Sequence, residues 1–322
     1  MEIDLARLCA AAGARLVVGN VTGLDRAGKA LLFSDRAPLP FDVLSIGVGS
    51  VPTRRGVEIL DDSQMVPVKP MQTFVLRLDA RLRRAASHRG ESPVRIVIVG
   101  GGAGGVELAL CLPPHLRVRL GEDARFVSTI ITGDPRLVPG STDGLARRVG
   151  RVLSERRVTV ITGRRVTRVD GTCLVLDDGA IVDADVILWM TGAEAPPVLG
   201  TLGLPADARG FLLTNRALQT TAGDPIFAVG DSGTIEVAPS PKAGVFAVKQ
   251  GPALWANIVR TLAGAPLRRH TPQSGFLKLL NTGDGRAIGE WKGVSFEGAW
   301  CGRLKGAIDR RFIRRYQDVA RP

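Results

Sequence analysis

The chain has 322 residues, 45% of them hydrophobic and 5% aromatic, and 43 Lys and Arg against 31 Asp and Glu give a net charge of +12. That length exceeds one ordinary domain and suits two with an appendage, while so few aromatics exclude a stacking platform for single-stranded nucleic acid. The excess of positive charge suits an anionic partner of some kind, but basic runs interleaved with aromatics do not occur, so no nucleic-acid partner is expected.

Cys9, Cys111, Cys173 and Cys301 are scattered without a C-x-x-C pair, and His88, His115 and His270 are equally far apart. This spacing predicts a reducing, cytoplasmic compartment, no disulfide-exchanging site and no metal site. The most apolar stretch, Val94 to Leu112, is broken by Arg95, Glu107 and glycines and does not read as a membrane span. The start, Met1-Glu2-Ile3-Asp4, lacks the basic region of a signal peptide.

Taken in order, Ile3, Leu5, Leu8 and Cys9 predict a short amphipathic helix ending near Gly13, followed by a strand over Ala14 to Val18. Val21 to Leu24, Ala30 to Phe33 and Phe41 to Ile46 read as an antiparallel meander. It leads into Val48-Gly49-Ser50-Val51-Pro52, where Gly49 and Ser50 either let backbone approach a ligand or form a plain loop. Met71 to Ala86 reads as a helix rich in Arg and Leu. The polar stretch Ser87 to Pro93 reads as a linker and domain boundary.

From Val94 strands and helices alternate. Arg95 to Val99 is a β-branched strand that runs directly into Gly100-Gly101-Gly102-Ala103-Gly104-Gly105 and a helix beginning near Val106. Gly100, Gly102 and Gly105 hold the G-x-G-x-x-G positions, which permit the tight turn, the approach of a pyrophosphate and close helix–strand packing. Ala103 and Gly104 between them would offer backbone N–H groups at the positive end of the helix dipole. The alternative is a glycine-rich turn that binds nothing. A strand over Phe126 to Ile131, a helix over Thr142 to Arg156 and a strand over Val158 to Ile161 follow. A hairpin from Arg165 to Asp183 then turns at Asp177-Asp178-Gly179. The apolar strand Asp185 to Met190 ends in Thr191-Gly192-Ala193, much as the strand before Gly49 ends.

With these features the chain resembles the FAD/NAD(P)-dependent pyridine nucleotide-disulfide oxidoreductases, including the type II NADH dehydrogenases. A second motif carries the likeness: Ile226-Phe227-Ala228-Val229-Gly230-Asp231, after Leu218-Gln219-Thr220-Thr221, looks like that family's strand ending in Gly-Asp. The resemblance implies that Asp231 accepts a hydrogen bond from the flavin ribityl chain and that Gly230 supports the turn. Pro241-Lys242-Ala243-Gly244-Val245-Phe246-Ala247-Val248-Lys249-Gln250-Gly251 is similar to the flavoprotein segment fused to selenide, water dikinase, so such a domain is a possible partner. By this resemblance the helix starting at Ala243 aims its positive end at the flavin, with Lys242 either stabilising the anionic reduced form or simply solvated. Glu107 is either placed near the nicotinamide or stabilises its own helix start. Thr132 stands where the family often has an acid for the adenine ribose. It comes 30 positions after Gly102, against an expected separation of about 20, and with Arg136 available for a 2′-phosphate both NADH and NADPH are admissible.

The resemblance implies two nested Rossmann-like three-layer α/β domains with β-meanders: residues 1–92 and 213–270 for FAD, 93–212 for NAD(P), and 271–322 as a small α+β appendage. The family's first βαβ unit, with its own fingerprint, has no counterpart before Gly19, so the chain is expected to start inside its flavin domain. At the other end, Phe276 to Asn281, Arg286 to Trp291 and Val294 to Glu297 predict a small sheet. A final helix shows Leu304, Ala307, Ile308 and Phe312 on one face beside many arginines. That helix either docks on the flavin domain or rests on an anionic membrane surface. The expected function is hydride transfer from NAD(P)H to FAD and on to a small-molecule acceptor, a quinone or a selenium or sulfur species. The alternative is a non-catalytic NAD(P)-binding module.

Overall fold

A computed structural model of the chain describes residues 3–69, 71–121, 123 and 125–319; the start at Met1 and Glu2 and the last three residues lie outside it. The chain forms two compact units, one of Met1–Ala11, Pro52–Gly192 and Leu277–Pro322, the other of Ala12–Val51 and Ala193–Phe276.

The first unit is built on a five-stranded parallel sheet in the order Val158–Thr162, Phe126–Thr132, Val94–Val99, Val186–Trp189, Met65–Val66. Val94–Val99 sits in the middle because five of its six residues are buried, as a strand covered on both faces requires. Alternation along that strand divides the core in two. Ile96 and Ile98 face a helical layer with Leu82, Val106, Leu110, Leu145 and Val149. Val97 and Val99 face a second sheet with Val169, Leu174 and Leu176. That sheet has four strands, Ile181–Asp183, Cys173–Leu176, Val166–Asp170 and Glu58–Asp61, and completes three layers.

Two boundaries fall elsewhere than the sequence suggests. The helix Met71–Arg89 extends into the expected linker as far as Arg89, and its buried Phe74, Leu78, Leu82 and Ala85 belong to the core of the fingerprint sheet. Asp185 reinforces this, taking the backbone N–H of Arg95 at 2.8 Å and ion pairs from Arg95 at 3.0 Å and Arg89 at 3.1 Å. The C-terminal segment likewise packs with this unit rather than with the flavin-side residues. Its three antiparallel strands, Lys278–Asn281, Ala287–Trp291 and Val294–Gly298, and the helix Ala299–Val319 dock on the fingerprint helix Ala103–Leu120 and on Asp143–Glu155.

The docking is polar as well as apolar. Glu290 accepts from the N–H and hydroxyl of Thr142, both at 2.7 Å, which sets a carboxylate at the positive start of helix Asp143–Glu155. Arg156 reaches Asp284 at 2.8 Å and also donates to the carbonyl of Leu110. Pro113 and Pro114 lie inside the fingerprint helix. Pro114 has no N–H for the carbonyl four residues earlier, so Arg156 supplies the donor that Leu110 would otherwise lack.

The second unit carries the antiparallel meander Val21–Asp25, Ala30–Phe33, Leu39–Pro40. Two parallel pairs accompany it, Leu44–Ile46 with Ile226–Ala228 and Leu212–Thr214 with Gly233–Ile235. The expected strand Phe41 to Ile46 is therefore shorter and leaves the meander for the Gly-Asp strand. Ala14–Val18 forms no strand, and Val18 is 87% exposed: an apolar run with no partner edge makes no ladder. The core gathers Ile46, Leu199, Phe211, Leu212 and Ile226, with helix Gly244–Leu262 alongside.

Candidate nucleotide-binding sites

In the first unit the strand Val94–Val99 delivers the chain to a turn in which Gly100 and Gly105 leave no room for a side chain. Gly100 has φ +125°, and a Cβ on it would strike the carbonyl of Met190. A Cβ on Gly105 would strike the carbonyl of Gly100 itself. Gly102 is different, because a Cβ there meets nothing within 4 Å. Gly102 is the N-cap of the fingerprint helix and no side chain caps it. With Ala103 and Gly104 exposed, the N–H groups of the first turn, which have no intrahelical partner, face open space. Gly192 lies at the same edge of the sheet: the strand before it is held by Thr53, whose carbonyl accepts from Trp189 at 2.8 Å and Thr191 at 2.6 Å.

The other residues singled out in this unit lie apart from that opening or are already engaged. Thr132 is buried, and its side chain fills the place a Cβ on Gly101 would take, 2.7 Å away. Arg136 is committed to Asp143 and to the carbonyl of Ser141 at 2.6 Å. Glu107 turns toward the C-terminal appendage, accepting from the Asn281 N–H at 3.1 Å and pairing with Lys305 at 3.4 Å. Asn281 and Lys305 were invisible as partners of Glu107, since nothing local in the sequence signals a contact across 174 positions.

In the second unit Ser50 donates to Asp231 at 2.7 Å, and the Gly49 N–H donates to Ser232 at 2.8 Å. The two strand ends therefore meet as one polar edge. Gly230 has φ +62°, and its N–H donates to Gln250 at 2.7 Å, a residue of the Pro241 to Gly251 segment to which the sequence assigns no role. Helix Gly244–Leu262 begins at Ala243 with no side-chain cap, which leaves its positive end open. Lys242 is folded back, donating to the Gly233 carbonyl at 2.7 Å and the Thr234 hydroxyl at 2.9 Å, with its Nζ 4.0 Å from the Phe211 ring centre. Burial pulls its pKa down to about 8, against the opposing pull of Asp207. It is neither solvated nor extended beyond the helix start.

All four cysteines are free thiols. Burial pushes the Cys111 thiol up to about 11, so it is protonated and unreactive near neutral pH. Among the described residues no group of His, Cys, Asp and Glu gathers as a metal site, and no helix is long and apolar enough to cross a membrane.

A glycine cradle on a parallel sheet in one unit, and a Gly-Asp turn facing an uncapped helix in the other, define an α/β protein of the dinucleotide-binding oxidoreductase class. The family model of the pyridine nucleotide-disulphide oxidoreductases matches residues 10–257, and the chain belongs to that family. The family's cofactors are FAD and NAD(P)H.

Among its relatives, demethylphylloquinone reductase NdbB of Synechocystis sp. is 28% identical over 292 residues, 86% of this chain and 69% of that protein. A type II NADH:quinone oxidoreductase of Haemophilus influenzae is 29% identical over 218 residues, but the match spans 60% of this chain and 49% of that protein. The sulfide:quinone oxidoreductase of Aquifex aeolicus has the same fold, with a TM-score of 0.77 at 19% identity, covering 98% of this chain and 78% of that one.

Proposed function

We propose that the chain is an NAD(P)H-dependent flavin oxidoreductase that delivers electrons to a quinone. The observation that carries this reading is the open space at Gly102 before an uncapped helix start on a parallel sheet, a geometry suited to a dinucleotide's pyrophosphate. When bound, the reduced nicotinamide supplies a hydride and FAD accepts it. The backbone of Gly102 to Gly105 holds the coenzyme's pyrophosphate, and Gly192 bounds the cradle at the neighbouring strand end. Asp231, oriented by Ser50, would accept a hydrogen bond from a hydroxyl of the flavin's ribityl chain. The uncapped start of helix Gly244–Leu262, at Ala243, stabilises negative charge on the flavin ring. Lys242 fastens the Gly230–Thr234 turn that carries Asp231.

The choice of a quinone rests on two relatives named as quinone reductases. It is tested by following NAD(P)H oxidation with a soluble quinone, with sulfide-derived polysulfide and with selenite as separate acceptors. Quinone-dependent turnover at least tenfold above the others supports it, and turnover confined to the sulfur or selenium acceptors overturns it.

One observation favours a second reading. Strand Val186–Trp189 is flanked on both sides in the first unit, whereas Leu44–Ile46, which plays the same part in the second, pairs only with Ile226–Ala228 among the described residues. A flavin half with so small a parallel sheet suits a module that binds NAD(P)H without catalysis. A protein that binds NAD(P)H but takes up no FAD would establish it.

A further inference from the structure

The edge of the fingerprint sheet beyond Thr132 is unusually well fixed. Strands Phe126–Thr132 and Val158–Thr162 run parallel in a register that sets Thr162 beside Thr132. The turn that follows is then tied back onto the end of its neighbour. The Gly163 N–H donates to the Asp134 carbonyl at 2.9 Å, the Arg164 N–H to the Thr132 carbonyl at 3.0 Å, and the Asp177 N–H to the Arg165 carbonyl at 2.9 Å. Arg165 is consequently held across the strand end. A Cβ on Gly133 would lie 2.7 Å from its Cγ and 3.0 Å from its Nε.

The neighbouring cations are occupied and Arg165 is not. Arg164 pairs with Asp178 at 2.5 Å, and Arg136 with Asp143. The Arg165 side chain is exposed, and its guanidinium makes no hydrogen bond or ion pair among the described residues. The position that in such folds carries an acid for the ribose hydroxyl holds the neutral, buried Thr132. The nearest carboxylate, Asp134, stays at the strand end, its Oδ2 3.5 Å from the Thr132 hydroxyl.

A guanidinium without a partner beside a strand end that lacks the acid is the arrangement that receives a 2′-phosphate. Its planar fork of donors suits a phosphate better than a hydroxyl. We propose that Arg165 binds the 2′-phosphate of the coenzyme, so that the chain prefers NADPH to NADH. This rests on the reading of the glycine turn as the coenzyme site.

The test is calorimetric titration of the full chain with NADPH and with NADH, for the native sequence, R165A, R165E and R136A. Binding is read directly, without turnover, and circular dichroism checks each variant for folding. NADPH is expected to bind at least about tenfold more tightly than NADH, and R165A and R165E are expected to remove most of that ratio. A native ratio at or below one, a ratio that R165A and R165E leave unchanged, or one that moves with R136A instead, overturns the assignment to Arg165. Loss of both coenzymes from the native chain overturns the nucleotide site itself, an outcome distinct from the loss of preference.

Discussion

Ser50 donates its hydroxyl hydrogen to Asp231 at 2.7 Å, joining two strand ends that lie 181 positions apart. One carboxylate oxygen is thereby fixed and the group is held in one orientation. Asp231→Ala is expected to weaken FAD binding by about tenfold or more, the scale of a charge-assisted hydrogen bond. Ser50→Ala, which frees the carboxylate without removing it, is expected to do less. Fluorescence titration of the flavin-free protein with FAD measures both, and equal affinities across the set would place the flavin elsewhere.

The glycine turn separates fold from function. Gly105→Ala drives a methyl group into the backbone of Gly100, a clash no rotamer relieves, and is expected to lower stability by about 1–3 kcal/mol. Gly102→Ala meets nothing in the protein and is expected to cost under about 1 kcal/mol, while its methyl group enters the space meant for the pyrophosphate. Urea unfolding and coenzyme titration together are expected to show G105A losing stability and G102A losing affinity. G102A binding NAD(P)H normally would contradict the cradle.

Asp79, only 6% exposed, joins helices Met71–Arg89 and Ala103–Leu120 through His115 at 2.9 Å and Arg119 at 2.7 Å. Burial by itself would raise its pKa, but the hydrogen bonds from Arg119 and His115 outweigh it and hold the carboxyl below its usual value. Its stabilisation is therefore complete above the unfolded value near 3.8 and is lost as pH falls through the lower folded value. Asp79→Asn is expected to cost about 1–3 kcal/mol at pH 7, with the difference shrinking below about pH 4. A deficit that is the same at pH 7 and pH 3 would show that packing, not the charge, joins the helices.

Lys242 gives a signature of the same sign in an alkaline window. Its folded pKa is lowered from 10.5 to about 8, so across that window unfolding takes up a proton and stability rises with pH. Below the window both states hold the proton and the dependence stops. Relative to Lys242→Met, the native chain is expected to gain up to about 1.4 kcal/mol per pH unit within it. Chemical unfolding at pH 7.5, 8.5 and 9.5 measures this, and parallel profiles would mean that the amine is solvated.

Local signals carried the dinucleotide half of the fold. The apolar run of Val94–Val99 followed by glycines, and Leu145, Val149 and Leu153 at helical spacing on the next helix, each encode burial within a few residues. What escaped the sequence is long-range. The end of helix Met71–Arg89 reads as a polar linker because its last turn is solvated, although its earlier apolar face belongs to the sheet. Arg136 reads as available because its partner Asp143 is recognisable only once the helix start is in place. Glu107 reads either as a coenzyme neighbour, by resemblance, or as a stabiliser of its own helix start, yet a hairpin far along the chain claims its carboxylate. Strands as short as Met65–Val66 carry too few residues to show a period and are fixed by the edge they join.

The central claim is that one chain holds a flavin that its own coenzyme reduces. The 322-residue chain incubated with FAD, freed of excess and mixed anaerobically with NADPH or NADH, tests it through the flavin absorbance near 450 nm. The protein is expected to be yellow, to bleach within the time of a catalytic turnover and to recover its colour when a quinone is added. A protein that stays yellow with either coenzyme, or that retains no flavin while binding the coenzyme, would contradict it.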